Sequence, residues 1–133
     1  MLTARDIMTD RLVTIGPDAF LQEAIEVIMK MQVSGLPVVA ADGRLVGIIT
    51  EFALLATAYD ATTACETVAQ HMTTDVLTVH ADDPIRAIAD RFIVHRVRRV
   101  PVLEKGRLVG LITRRDVLKA VFEAEPQVCG HKR

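Results

Sequence analysis

The stretch GRLVGIIT, residues 43–50, returns as GRLVGLIT, residues 106–113. The first copy runs on into Glu51-Phe52-Ala53 and the second into Arg114-Arg115-Asp116, so only the second places an acid three residues beyond its threonine. The match extends outward from these blocks. At a shift of 64 positions, Met8-Thr9 falls on Met72-Thr73, LVTI (12–15) on VLTV (76–79), and VSGLPV (33–38) on VRRVPV (97–102). One residue lost in a turn makes the shift 63 for the doubled block. Self-similarity of this density marks two copies of one supersecondary unit.

Each copy reads as β-α-β-β-α behind a helical lead-in, which in the first copy falls near residues 4–8. After the strand LVTI, the residues Leu21, Ala24, Ile25, Ile28 and Met31 recur at helical spacing. The matching helix starts with Asp83-Pro84, an N-cap and a proline suited to the first helical position, and carries Ile85, Ile88, Ala89, Phe92 and Ile93 on one face. The runs LPVVA and RLVGIIT, joined by Asp42-Gly43, predict a hairpin. A last helix follows Thr50, and another follows Thr113. A unit of about 60 residues is marginal alone. The expected fold is therefore α+β (α/β), with tandem repeats at 1–62 and 63–124 packed sheet to sheet about a pseudo-twofold axis. A flexible tail is expected at 125–133. The helix FALLATAY (52–59) is apolar nearly all round, and its counterpart shows Val117, Leu118, Val121 and Phe122. Both point to burial against a second copy, a homodimer.

Composition agrees with a folded soluble chain: of 133 residues, half are hydrophobic and a quarter charged. No uncharged apolar run reaches the ~18 residues of a membrane span. The charged N-terminus has no apolar signal core, so a cytoplasmic location is expected. Cys65 and Cys129 form neither a disulfide framework nor a zinc pattern, and the four histidines, His71, His80, His95 and His131, show no metal-ligand spacing. Net charge is −1, yet residues 1–66 hold four Lys/Arg against nine Asp/Glu, and residues 67–133 twelve against eight. Local arginine clusters in a nearly neutral chain suit a small anionic ligand better than nucleic acid. The scarcity of aromatics for base stacking argues the same way. Neither a Ser/His/Asp order nor a GxxxxGK loop is present, which argues against an enzyme.

With the repeat laid out, the chain resembles a CBS domain pair, or Bateman module. The residues that carry the resemblance are DIMTDRLVTIGPD (6–18), VSGLPVV (33–39) and GRLVGIIT in the first copy. In the second they are HMTTDVLTVHADD (71–83), VRRVPVL (97–103) and GRLVGLITRRD (106–116). The resemblance implies a non-catalytic sensor with two clefts for adenosine nucleotides (AMP, ADP, ATP) or S-adenosylmethionine, which alters a partner protein and requires no cofactor. It places a first site at Thr113, Arg115 and Asp116 of one copy with Thr9, Leu12, Thr14, Val33, Ser34, Gly35 and Pro37 of the other. A weaker second site joins Thr50 to Thr73, Val76, Thr78, Val97, Arg98 and Arg99, and Ala53 stands where the family's aspartate should be.

The residues themselves leave alternatives open. Thr113-x-x-Asp116 fits a capping box as well as a ribose clamp. Arg98-Arg99 fits a phosphate grip or a solvated charge run at a helix end. Leu36 and Val38 read as core. Gly47 and Gly110 interrupt apolar strands, which signals close approach of a ligand or another backbone, or a tight crossing of the repeats. If the clefts are vestigial, the chain is a protein-interaction scaffold.

Overall fold

The computed structural model describes residues 1–124 and 129. The expected tail therefore lies outside the described residues, apart from Cys129. In chain order the elements are α1 (Ala4–Ile7), α2 (Leu21–Met31), β1 (Gly35–Val39), β2 (Leu45–Thr50), α3 (Glu51–Ala58), a 3₁₀ turn (Ala61–Thr63) and α4 (Val68–His71). There follow β3 (Val79–His80), α5 (Ile85–His95), β4 (Arg99–Glu104), β5 (Arg107–Thr113) and α6 (Arg114–Ala124). The architecture is mixed α+β, as expected. None of the described helices is long and apolar enough to cross a membrane.

The chain forms two compact units that do not follow the sequence repeat. Of the described residues, one comprises 1–11, 78–104, 109–124 and 129; the other comprises 12–77 and 105–108. Each lead-in helix thus packs with the copy it does not precede.

In the unit built on the first repeat, β1 and β2 form the expected antiparallel hairpin, with Gly35 opposite Thr50. The turn is closed by Asp42, whose Oδ1 accepts from Arg44 N at 3.1 Å, and by Gly43 at φ 89°, a left-handed conformation glycine adopts without strain. The expected strand LVTI shrinks to one parallel bridge, Ile15 to Val38. Leu21, Ala24 and Ile28 of α2 meet Leu36, Val38, Ile49, Leu54 and Val68 in one apolar cluster. Met31 stays half-exposed instead of joining that face, because α2 ends there and Gln32 turns left-handed at φ 56°.

The other unit orders its strands β3-β4-β5, with β3 parallel to β4. Ile88 and Phe92 of α5 are buried with Val100, Val102 and Ile112. Ile93 is 72% exposed, since it lies one residue and about 100° round the helix from Phe92. Pro84, not Asp83, occupies the N-cap of α5, while the Asp83 carboxylate accepts from His80 N at 2.9 Å. Arg96 closes α5 at φ 53°, matching Gln32 after α2.

The lead-ins dock by equivalent bonds. Ala4 N and Arg5 N, free donors of the first turn of α1, reach the carbonyls of Asp83 and Ala81, both at 2.9 Å. Val68 N and Ala69 N of α4 reach those of Ala19 and Pro17 at 2.8 and 2.9 Å. Beyond each helix a threonine exchanges two backbone bonds with a strand, Thr9 with Leu111 and Thr73 with Ile48. Gly110 and Gly47 lie beneath these crossings. A Cβ on Gly47 would stand 2.7 Å from Thr73 O and 2.8 Å from Met72 Sδ, so approach of another backbone accounts for that glycine. At Gly110 the Met8 side chain fills the same space. The first lead-in has an added tie: Arg5 Nη2 meets Glu104 Oε2 at 2.7 Å and Asp82 Oδ1 at 3.0 Å. These acids, Glu104 foremost, raise the Arg5 pKa above its ordinary value.

The helix α3, expected to bury against a second copy, is only partly covered within the chain. Leu54 is buried, but Phe52, Leu55 and Tyr59 are 79%, 59% and 94% exposed.

Candidate functional site around Asp116

β5 delivers Thr113 to the start of α6, and the residues that follow set the local chemistry. Asp116 Oδ2 accepts from Thr113 N at 2.9 Å, and Thr113 Oγ1 accepts from Asp116 N at 3.2 Å. This is a reciprocal capping box. The capping interpretation of Thr113-x-x-Asp116 is therefore realised, and it employs one carboxylate oxygen. Oδ1 has no hydrogen bond among the described residues. An anionic oxygen beside the first turn of a helix, with half its acceptor capacity open, can take hydroxyl donors from a ligand. The equivalent helix start has half of this arrangement. Thr50 Oγ1 accepts from Ala53 N at 3.2 Å, and no carboxylate returns the bond.

The backbone carries the neighbouring candidates to these helix starts. Arg114 N donates to Arg98 O at 3.0 Å, and Glu51 N donates to Ser34 O at 3.0 Å. Thus Arg98 sits beside the start of α6, and Arg99 opens β4 next to β5. In the other unit Ser34 and Gly35 sit beside Thr50 at the start of α3. Arg98, Arg114 and Arg115 are exposed, while Arg99 and Asp116 are partly covered.

The remaining candidates divide between the units. Thr9 lies with Thr113, Arg115 and Asp116; it is exposed and bridged to Leu111, two residues before Thr113. Thr78 and Val97 belong to that unit as well, and the Thr78 carbonyl accepts from Arg91 Nη1 at 3.4 Å. Leu12, Thr14, Val33, Ser34, Gly35 and Pro37 lie in the other unit with Thr50, Thr73 and Val76. Of these, Thr14 and Thr73 are exposed, whereas Gly35 and Pro37 are buried in β1. Leu36 and Val38 are fully buried core.

Sequence reasoning missed two groups. Met8 and Met72 fill the glycine notches beneath the candidate threonines, and their signal was the repeated Met-Thr pair opposite two strand glycines. The Arg5–Asp82–Glu104 cluster joins residues far apart in the chain and left no local signal. No group of three or more His, Cys, Asp or Glu residues able to hold a metal occurs among the described residues.

Two repeats of this build, each ending in a threonine-capped helix, form a tandem domain pair, and the chain belongs to the CBS domain family. The family model matches residues 4–59 and again 68–123. Hypoxic response protein 1 of Mycobacterium tuberculosis is 32% identical over 127 residues, which cover 92% of this chain and 87% of that protein. Among solved structures, CBSX2 in complex with AMP superposes with a TM-score of 0.83 at 28% identity, covering 93% of this chain and 98% of that one. The CBS domain pair of protein MJ0100, in complex with 5′-methylthioadenosine and S-adenosyl-L-methionine, gives 0.78 at 26% identity over 94% and 99%. Other relatives are longer. The chain spans 41% of an uncharacterized Methanocaldococcus jannaschii protein that is 31% identical over 86% of this chain. It spans only 22–24% of four more.

Proposed function

We propose that this chain is a non-enzymatic sensor that binds an adenosine-containing ligand and passes the occupancy to a partner protein. The observation that carries this reading is the Asp116 carboxylate: Thr113 N fixes one oxygen, and the other is open. A ribose cis-diol offers two hydroxyl donors to such a group. The proposed first site draws on Thr9, Thr113, Arg115 and Asp116, all in one unit. Arg98 and Arg99, beside the same helix start, would grip phosphate, and a weaker second site would draw on Thr50, Thr73 and Val76 in the other unit. Relatives solved with AMP, or with S-adenosyl-L-methionine, support the ligand class. Longer relatives named as enzymes, a homoserine O-acetyltransferase and an inosine-5′-monophosphate dehydrogenase, support a regulatory role for the matching segment. The test is a thermal-shift screen of nucleotide-free protein with AMP, ADP, ATP and S-adenosylmethionine. A rise in melting temperature with at least one is expected, and no rise with any would defeat the proposal.

The same reading includes a homodimer. Phe52 and Leu55 on α3 and Tyr59 at its C-cap, with Leu118 and Phe122 on α6 at 71% and 60% exposed, are apolar side chains that a second copy would cover. Sedimentation of wild type against Leu55→Glu measures this, with a dimer expected only for the wild type. A second functional reading, an interaction scaffold with vestigial clefts, rests on Ala53, which leaves one helix start without a diol acceptor. It predicts that Asp116→Asn changes nothing but local charge. Either role suits the cytoplasm.

A further inference from the structure

Met8 and Met72 occupy the same place in the two units. Each is the C-cap residue of its lead-in helix, its N–H bonded to Ala4 O at 3.0 Å or Val68 O at 2.9 Å. Each side chain covers a glycine. A Cβ at Gly47 would meet Met72 Sδ at 2.8 Å and Cγ at 3.0 Å; one at Gly110 would meet Met8 Sδ, and Cγ at 2.7 Å. The thioethers therefore fill the volume that the missing glycine side chains leave. The next residue in each case, Thr9 or Thr73, makes the two-bond exchange that holds the lead-in to its strand. Both methionines remain partly exposed.

We propose that Met8 and Met72 form a paired redox switch, in which oxidation by a peroxide releases the two lead-ins. The sulfide lone pair attacks one peroxide oxygen, the O–O bond breaks, an S–O bond forms and water leaves. Sulfur loses two electrons and the peroxide gains them. The product sulfoxide is larger and polar. Each thioether sulfur lies within contact distance of where a glycine Cβ would stand, so a bulkier, polar sulfoxide fits the notch less well and favours leaving it. The threonine directly after it then loses its strand partner. Methionine sulfoxide reductases reverse the step, which makes it a switch and not only damage. A resulting loss of ligand affinity would rest on the proposed role of Thr9 and Thr73; release of the lead-ins would not.

The test treats the native, ligand-free full chain with hydrogen peroxide. Mass spectrometry quantifies sulfoxide at each methionine, and hydrogen exchange follows the amides of Thr9, Leu111, Ile48 and Thr73. Conversion at Met8 and Met72 is expected with about a tenfold or greater loss of protection at those four amides, the signature of local opening. Methionine sulfoxide reductases should restore it. Met29→Leu/Met31→Leu removes the exposed methionines of α2 and should respond as wild type does. Met8→Leu/Met72→Leu should be insensitive; should the branched side chain prevent folding, replacing all methionines by norleucine keeps the shape without sulfur. Three results overturn the proposal: Met8 and Met72 unoxidised at a dose that fully converts Met29 and Met31, protection retained despite sulfoxide at both, or equal loss in the norleucine protein.

Discussion

Asp116→Asn separates the two roles of this carboxylate. As a cap, the residue must accept from Thr113 N, a bond of 2.9 Å, and donate its own N–H to Thr113 Oγ1 at 3.2 Å. An asparagine carbonyl oxygen does the first and the unchanged backbone does the second. Folding stability should therefore fall by no more than about 0.5 kcal/mol, while Asp116→Ala, which removes the acceptor, should lose about 0.5–2 kcal/mol. As a diol clamp, the residue contributes through charge and through Oδ1. An amide nitrogen in that place carries no charge and presents a donor to a hydroxyl donor. A charge-assisted contact is worth about 1.5–3 kcal/mol. Both variants should then bind roughly tenfold to a hundredfold more weakly. Urea denaturation gives the first quantity. Calorimetric titration with whichever of the four adenosine ligands raises the melting temperature gives the second. If the Asp116→Asn protein binds that ligand with wild-type affinity, the carboxylate is a cap alone and the ribose argument fails.

Gly47→Ala should destabilise by about 1–3 kcal/mol in urea, an overpacking cost. Gly110→Ala should lose less, because its three nearest obstacles are all atoms of the flexible Met8 side chain, whereas Gly47 also faces the Thr73 carbonyl. Arg96→Gly removes a side chain from a left-handed position at φ 53° and should stabilise by about 1 kcal/mol in thermal melts, a gain an αL residue other than glycine forgoes. The Asp6 carboxyl is held below its ordinary 3.8 by bonds from Thr3, the backbone N–H first and then the hydroxyl. A lowered folded-state value means stability that is fully present above 3.8 and lost as pH falls through the lower value. Asp6→Asn should therefore flatten that acid-side decline in a series of melts against pH.

The features legible in the sequence were those made of local residues. Asp42-Gly43 between two apolar runs specifies a turn whatever surrounds it, and the hairpin stands in the expected place. The spacing of Leu21, Ala24 and Ile28 specified the buried face of α2 for the same reason. The misreading at Met31 came from extending a periodic face to the helix end, where chain reversal removes the surface to pack against, and that at Ile93 from counting a residue about 100° round the helix from Phe92 into the same face. Asp83-Pro84 misled because His80 N competes for the Asp83 carboxylate. The exchange of lead-ins was not legible at all. A helix of four residues carries too little pattern to name its partner, and its docking uses backbone donors that any sequence supplies. At the candidate site, Thr113 and Asp116 were readable as a local motif, but whether cap or clamp depended on which oxygen stayed open.

Where the two copies agree and where they differ separates what the fold requires from what the site requires. Agreement falls on docking geometry: Met8 with Met72, Thr9 with Thr73, Gly110 with Gly47, and left-handed Arg96 with Gln32. Each answers a steric or hydrogen-bonding demand that both units face. Difference concentrates at the helix starts. Ser34, Gly35, Glu51, Phe52 and Ala53 in the first copy stand against Arg98, Arg99, Arg114, Arg115 and Asp116 in the second. No packing need explains four arginines where the equivalent surface has none, since three of them are exposed. Exposed like charges repel one another, and a bound anion relieves that repulsion. Exchanging the five residues between copies should therefore leave the docking bonds intact and carry anion binding to the other helix start. A swapped protein that folds normally yet still binds at α6 would break the link between this asymmetry and function.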